Sequence, residues 1–222
     1  MENWAFQPEV LEGYARHYET GEVGVIGVSY ETNSASSATA IARTQAWTFF
    51  ELLPRCPDLV IGGINHGDNS AVNVHYSGTM GVVIEGCLKG VPAIGYSLCD
   101  HDADADFNPM LPYVRKIAEE VLVHGLPKGT CLNVNVPKTS ELKGVRICRQ
   151  TDASWGNEWC KGQHPKGGEY FWLTGKFTNN EPEAEETDRW ALEHDYVAIT
   201  PIQIDMTAYA LIDTLKTWNL NL

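Results

Sequence analysis

The chain has 222 residues, of which 43% are hydrophobic and 20% are charged, which indicates one globular domain and excludes a disordered or fibrous protein. A chain of this length can bury a core without disulfide bonds or structural metals. Its 16 basic and 29 acidic side chains give a net charge of −13, which argues against a protein that binds a nucleic-acid polymer through its phosphates.

The cysteine pattern and the N-terminus bear on the compartment. Six cysteines occur without any Cys-x-x-Cys pair, which favours reduced thiols over a disulfide framework. No apolar run approaches the roughly 20 residues of a membrane span. Acidic residues also stand where a signal peptide needs an apolar stretch. The sequence therefore predicts a cytoplasmic protein with no membrane partner.

Apolar runs alternate with helical periodicity over the first 140 residues. Helices are predicted at residues 8–17, 40–53, 77–89 and 111–124, and strands at 23–28, 59–64, 92–98 and 130–136. Strands that alternate with helices in this way predict an α/β fold with a parallel-sheet core.

The pattern changes beyond residue 140. Short strands are predicted at 145–149, 169–174 and 196–200, a solvated acidic loop at 179–188 and a terminal helix at 207–218. Four aromatic residues in this part are too many for a solvated loop: Trp155, Trp159, Phe171 and Trp172. We expect them to pack against the core or against a second subunit.

The first candidate site follows the predicted strand LVIGGI. Ligands of open parallel sheets bind beyond the carboxyl ends of the strands. There Asn65 offers a neutral oxygen suited to Mg²⁺ or Mn²⁺, and Asn69 adds a second amide. The next helix begins with Ser77-Gly78-Thr79, whose free N–H groups and hydroxyls could hold a phosphate. A capping serine and a turn asparagine are the competing interpretation.

An acidic cluster, DHDADAD at residues 100–106, follows another predicted strand. An Asp-x-Asp pair after a strand can present an aspartate nucleophile and its acid partner, so a phosphatase that uses Asp100 and Asp102 is one alternative. A calcium loop does not fit, because Phe107 and Tyr113 stand where glycine and glutamate are needed. A solvated acidic loop is the simpler interpretation.

One block of the sequence is recognisable. Residues 57–98 read PDLVIGGINHGDNSAVNVHYSGTMGVVIEGCLKGVPAIGYSL, which resembles the signature block of the SurE family of metal-dependent nucleotidases. The similarity continues through CLNVNVP, KGVRICRQ, YFWLTG and DYVAITPIQIDMTAY, and so runs from near residue 54 to the C-terminus.

The resemblance implies an architecture. Members have a Rossmann-like α/β core, and a C-terminal β-hairpin arm and terminal helix that are exchanged between subunits. In this chain the arm would lie at residues 150–195, within one domain spanning residues 1–222. The implied partner is a second copy of the chain, in a homodimer or a homotetramer.

The resemblance also implies a ligand set. A divalent cation, Mg²⁺ or Mn²⁺, would be bound by Asn65 and by a serine of an earlier loop. Ser34 is the best match for that serine, and Ser36 and Ser37 are the alternatives. Asn69 and the segment Ser77-Gly78-Thr79 match positions of the phosphate pocket, so Asn65 and Asn69 are the predicted catalytic residues.

Residues 1–53 depart from the family. Members carry Asn-Asp-Asp-Gly after the first strand, whereas this sequence has no Asp-Asp pair. Two carboxylates supply most of the charge that holds a divalent ion, so the N-terminal metal half is expected to be missing or rebuilt, with Glu31 as a candidate substitute. Two hypotheses follow. One is a metal-dependent phosphomonoesterase that hydrolyses nucleoside 5′- and 3′-monophosphates. The other is a catalytically impaired nucleotide-binding or scaffold homologue.

Overall fold

The structure is a computed structural model that describes residues 25–28, 55–102 and 104–220. In chain order its strands are β1 (Val25–Val28), β2 (Leu59–His66), β3 (Ala93–Cys99), β4 (Thr130–Pro137), β5 (Val145–Ile147), β6 (Ala153–Gly156), β7 (Trp159–Gln163), β8 (Glu169–Leu173), β9 (Lys176–Asn179) and β10 (Val197–Gln203). Its α-helices are α1 (Gly78–Leu88), α2 (Leu111–His124), α3 (Asp188–Glu193) and α4 (Tyr209–Lys216), and 3-10 turns cover Ala71–His75 and Asn108–Met110.

The main sheet has six strands in the order β1-β2-β3-β4-β10-β5. Strands β1 to β4 run parallel to one another. Strand β10 is antiparallel to β4, and β5 is parallel to β10. The predicted α/β fold with a parallel-sheet core is confirmed, and the sheet becomes mixed at β10.

Helices bury both faces of this sheet. Met80 and Val83 of α1 pack against Val60 on one face, whereas Ile117 and Val121 of α2 lie in the cluster on the other face. Strands covered on both sides become continuously apolar, and six of the seven residues of β3 are buried. This double coverage leaves the strand ends as the place where polar side chains can gather.

The arm is a long hairpin outside the main sheet. Strand β6 pairs with β9, and β7 pairs with β8, both antiparallel. The turn at the tip closes with a hydrogen bond from His164 N to Gly168 O of 2.9 Å. No residue of α4 is buried in the single chain. Arm and terminal helix are present as predicted, and their part in oligomerisation stays a prediction.

Most predicted elements are confirmed within one to three residues at each end, and α2 matches its predicted bounds. The helices predicted at 8–17 and 40–53, and the candidate ligands Ser34 and Glu31, lie outside the described residues. The prediction of a solvated loop at 179–188 is wrong at its end, because Thr187 and Asp188 are buried at the start of α3. Among the described residues, no helix is long and apolar enough to cross a membrane.

Candidate functional site

A bulge in β2 places Asn65 at the site. Gly62 pairs with Gly95, and the next pair is Asn65 with Ser97, so β2 contains one residue more than β3 over this interval. Gly63 takes up the difference with a φ of +108°, and a Cβ there would lie 2.3 Å from Tyr96 O. Because side chains alternate along a strand, the bulge turns Asn65 to the face that carries Ser97 and α1.

The register extends this face into a row of polar side chains across three strands. Ser97 of β3 pairs with Asn135 of β4, so Asn65, Ser97 and Asn135 lie side by side near the carboxyl ends of β2, β3 and β4. We call these three residues the polar row. Ser97 and Asn135 have no exposed surface, and Asn65 is half-buried. Buried polar groups persist only with hydrogen-bond partners, so the row must be satisfied by its neighbours or by a ligand.

Asn69 is the main partner of the polar row. Its Nδ2 donates to Ser97 Oγ at 2.6 Å, and its backbone N–H donates to Asn135 Oδ1 at 2.7 Å. Asn133 Nδ2 donates to Asn69 O at 2.8 Å, and Asn135 Nδ2 donates to Asn133 Oδ1 at 2.9 Å. Both polar groups of the Asn69 backbone and its amide nitrogen are thus held by the sheet.

Asn65 has a different role in the geometry. Its Nδ2 donates to Gly67 O at 2.7 Å, which fixes the orientation of the amide and leaves Oδ1 as the atom available to a cation. Gly67 has a φ of +86°, and a Cβ there would lie 2.1 Å from His101 Cε1. The His101 ring therefore packs directly over this glycine. His66 faces away from this contact and meets Phe107 edge-on, with ring centroids 4.8 Å apart.

The N-terminus of α1 lies beside the end of β2, where Thr79 contacts Gly62. Ser77 is the N-cap, and its Oγ accepts a hydrogen bond from Met80 N at 3.0 Å. Thr79 is 2% exposed, and its γ-methyl faces the sheet at Gly62. The first N–H groups of a helix have no partner inside it, so the backbone N–H groups of Gly78 and Thr79 are the donors that this segment can offer an anion.

A cleft of about 490 Å³ opens beside Ser77. Its walls include His75, Ile84, Thr200 and Met206. Thr200 is 2% exposed, and its Oγ1 has no hydrogen-bond partner among the described residues. The cleft is large enough for a small organic ligand and has one unsatisfied hydroxyl in its wall.

A lysine forms ion pairs with two aspartates of the acidic cluster. Lys138 Nζ lies 2.9 Å from Asp100 Oδ1 and 2.5 Å from Asp102 Oδ2. The backbone N–H of Asp102 and the Lys138 ammonium lower the pKa of Asp100. One ammonium thus pairs with both carboxylates, which is the geometry of an ion-paired surface loop.

Two of the buried cysteines are poorly suited to catalysis. All six are free. Burial raises the pKa of Cys131 to about 12 and that of Cys148 to about 11. Because the thiolate is the reactive form, these two thiols are inert at neutral pH.

The described residues do not by themselves make a metal site. No group of three or more His, Cys, Asp or Glu side chains that could hold a metal ion occurs among residues 25–28, 55–102 and 104–220. Asn65 Oδ1 supplies one oxygen ligand, and a divalent cation needs carboxylates as well. Ser34, the predicted second ligand, lies outside the described residues.

Sequence reasoning missed the buried polar residues Ser97, Asn133 and Asn135, and it also missed two residues of α3 that hold the site. Asp188 and Arg189, at the start of α3, bond to residues 68–71, more than a hundred positions earlier in the chain. The one available signal was Thr187 followed by an aspartate, which is typical of a helix N-terminus.

Comparisons with known proteins bear on the family of this chain. A sequence profile of the family described as Survival protein SurE matches residues 26–157. The 5′-nucleotidase SurE of Phocaeicola vulgatus is 70% identical over 169 residues, which cover 76% of this chain and 66% of the relative. That of Symbiobacterium thermophilum is 36% identical over 227 residues, which cover 99% of this chain and 88% of the relative.

A solved structure gives the same fold. The SurE protein from Aquifex aeolicus superposes with a TM-score of 0.67 at 30% identity, over 79% of this chain and 71% of that one. The chain spans just under two thirds of the length of the Phocaeicola vulgatus relative and of that from Bacteroides thetaiotaomicron. The profile match covers more than half of the residues, and we conclude that the chain belongs to the SurE family.

Proposed function

We propose that the chain is a phosphomonoesterase that hydrolyses nucleoside 5′-monophosphates, and 3′-monophosphates as well, to nucleoside and phosphate. The observation that carries the proposal is the polar row, which the β2 bulge aligns beside the N-terminus of α1. The printed names of the relatives support the substrate class, since eight of them are 5′-nucleotidases. They give no support to a catalytically impaired homologue.

In this proposal the phosphate lies between Asn65 and the start of α1. The N–H groups of Gly78 and Thr79 would donate to its oxygens, with the helix dipole favouring the negative charge. Asn69 would keep Ser97 and Asn135 in place under the phosphate, because its bonds to both residues fix the floor of the site. Donors that are already oriented stabilise the charge of a phosphoryl transition state without reorganising.

A divalent cation, Mg²⁺ or Mn²⁺, is part of the proposal. It would supply an activated water and additional charge stabilisation. Of the described residues Asn65 would hold it, and Ser34 is the proposed second ligand. The proposed partners are a nucleoside monophosphate and a second copy of the chain, in a homodimer or a homotetramer. A cytoplasmic location stays a prediction.

Phosphate release from a matched set of substrates tests this function. We expect the purified chain to release phosphate from 5′-AMP and 3′-AMP with Mn²⁺ or Mg²⁺, and to lose this activity in EDTA. Adenosine serves as the blank, since it carries no phosphate. If no nucleoside monophosphate is hydrolysed with either metal, the proposed function is wrong.

A further inference from the structure

Asp188 is a buried carboxylate with three hydrogen bonds. It is 1% exposed, and its Oδ2 accepts from Ala71 N at 2.9 Å. Its Oδ1 accepts from Thr151 Oγ1 at 2.6 Å and from Thr151 N at 3.1 Å. Burial of a carboxylate is costly without such partners. Asp188 is therefore an integral part of the folded structure and does not belong to a solvated loop.

Arg189, the next residue, contacts the same loop. Its Nη1 lies 3.2 Å from Asp68 Oδ2 and 3.5 Å from Ser70 Oγ. Its guanidinium carbon lies 5.1 Å from the centroid of the Phe177 ring. A guanidinium between a carboxylate and an aromatic ring has one preferred orientation, so Arg189 restrains Asp68 and Ser70 from the side of α3.

The loop needs this support at Ala71. Ala71 has a φ of +51°, a left-handed conformation that L-residues other than glycine adopt only at a cost. The Asp188 bond to Ala71 N holds the backbone in that conformation. Asn69, two residues earlier, is held from the opposite side by Asn133 and Asn135. Residues 68–71 are therefore held by hydrogen bonds from α3 on one side and from the sheet on the other.

We propose that Asp188 and Arg189 are a positioning pair that keeps residues 68–71, and with them Asn69, aligned with the polar row. The proposal rests on the function given above for its catalytic consequence. Neither residue touches the proposed phosphate position. They act through Asp68, Ser70 and Ala71, and Thr151 joins the base of the arm to the same carboxylate.

The test is Asp188→Asn, in which an amide nitrogen that can only donate replaces one acceptor oxygen. Either Ala71 N–H, or the backbone N–H and the hydroxyl of Thr151 together, then lose their acceptor. We expect kcat for 5′-AMP to fall about 100-fold, with KM changed less than about threefold because uniform binding is retained. Glu183→Gln is the matched control, since it removes the same charge from an exposed position in the preceding loop.

Thr151 provides the independent variants. Thr151→Ser keeps the hydroxyl that donates to Asp188 Oδ1 and should behave as wild type. Thr151→Val removes it and should lower kcat in the same direction as Asp188→Asn, by a smaller factor. These two variants keep the proposal testable if Asp188→Asn does not fold.

Amide hydrogen exchange gives a readout that needs no substrate. We expect Asp188→Asn to speed exchange about tenfold in a peptide that covers residues 67–76, with exchange in β4 unchanged. Equal acceleration in both regions would show a general loss of stability and overturn the positioning role, as would no change in either. An unchanged kcat in an active protein would overturn it too. A wild type that hydrolyses no nucleotide would contradict the proposed function alone, because the exchange result still decides whether the pair holds the loop.

Discussion

The strand-end site and the arm differ in the kind of side chain that each buries and exposes. At the carboxyl ends of β2 to β4, polar side chains are buried and paired, as the hydrogen bonds of Asn69 with Ser97 and Asn135 show. In the arm, apolar side chains are exposed: Trp159 is 66% exposed, Trp172 62% and Leu173 63%. The hydrogen bonds of the polar row are made within one chain, whereas these apolar side chains of the arm stay exposed in the single chain.

The difference shows what each region requires. A two-stranded hairpin in water is only marginally stable, and contiguous exposed aromatic residues mark an interaction surface. The polar network, in contrast, is held by hydrogen bonds within its own chain. Substitutions in the arm should therefore affect assembly, and substitutions around the polar row should affect stability and chemistry.

The largest expected effect is on assembly. Trp172→Glu places a charge on the face of the β7–β8 hairpin where Trp172 meets Tyr170, and burying an unpaired charge is strongly unfavourable. We expect the dissociation constant of the homo-oligomer to rise at least ~100-fold. Light scattering should then give the 24.6 kDa mass of one chain. Lys166→Glu, in the exposed tip of the arm, is the control and should leave the mass unchanged. A wild type that is already monomeric would contradict a role of the arm in assembly.

The second effect is on stability at the polar row. Asn135→Ala removes the acceptor of Asn69 N–H and the donor to Asn133 Oδ1. Two buried polar groups without partners should lower the free energy of unfolding by roughly 2–5 kcal/mol. Urea denaturation measures this change. Asn219→Ala, at an exposed position, should change it by less than about 0.5 kcal/mol. Equal stability of the two variants would show that the network contributes nothing.

A smaller effect is expected at the cap of α1. Ser77→Ala removes the acceptor of Met80 N and should cost about 1 kcal/mol, seen as a lower melting temperature. Ser77→Thr keeps a capping hydroxyl and should recover most of the loss.

Inorganic phosphate should protect wild type against thermal unfolding. If inorganic phosphate protected Ser77→Ala as well as it protects wild type, this would argue against an anion site at the start of α1.

The smallest effect concerns pH and the base of the arm. Arg149 binds Glu181 through two hydrogen bonds of 2.6 and 2.8 Å, and together with the Asp152 N–H it lowers the pKa of Glu181 to about 2. The carboxylate therefore stabilises the fold fully above its unfolded pKa of about 4.5. This contribution is lost as the pH falls from there to about 2.

Glu181→Gln should flatten the dependence of the urea midpoint on pH between about 4.5 and 2. The pair is exposed, so the difference should shrink at high salt. Glu183→Gln lies in the same loop without a described ion pair and should keep the wild-type slope. An identical slope for both variants would show that the Arg149 pair does not couple to folding.

Local sequence patterns predicted the core of the fold because its strands are covered on both faces and are therefore apolar. Apolar and polar residues of α2 alternate with a clear helical period between Pro112 and Gly125. The predicted bounds of this helix therefore match the observed ones. The short strands β6, β7 and β9 carry mixed polar and apolar residues and gave no such signal. The antiparallel direction of β10 also has no local signature.

At the site, Asn65 and Asn69 were predicted from their place after an apolar run. The bulge that orients Asn65 was not predicted, although Gly62-Gly63 is the kind of pair that marks one. Asp188 stands in an acidic run that looked solvated, and its partner Ala71 is 117 positions away. A contact of that range depends on the complete topology and cannot be read from local sequence.

In the proposed function, Asn65 Oδ1 faces a metal-assisted phosphate site. The most direct measurement is phosphate release from 5′-AMP with Mn²⁺ by wild type, Asn65→Ala and Asn65→Asp. Asn65→Ala should lose on the order of 100-fold in kcat without a matching loss of melting temperature, and Asn65→Asp, which keeps an oxygen ligand, should retain more of it. Wild-type turnover by Asn65→Ala would contradict this role of Asn65, because the chemistry would then lie elsewhere in the chain.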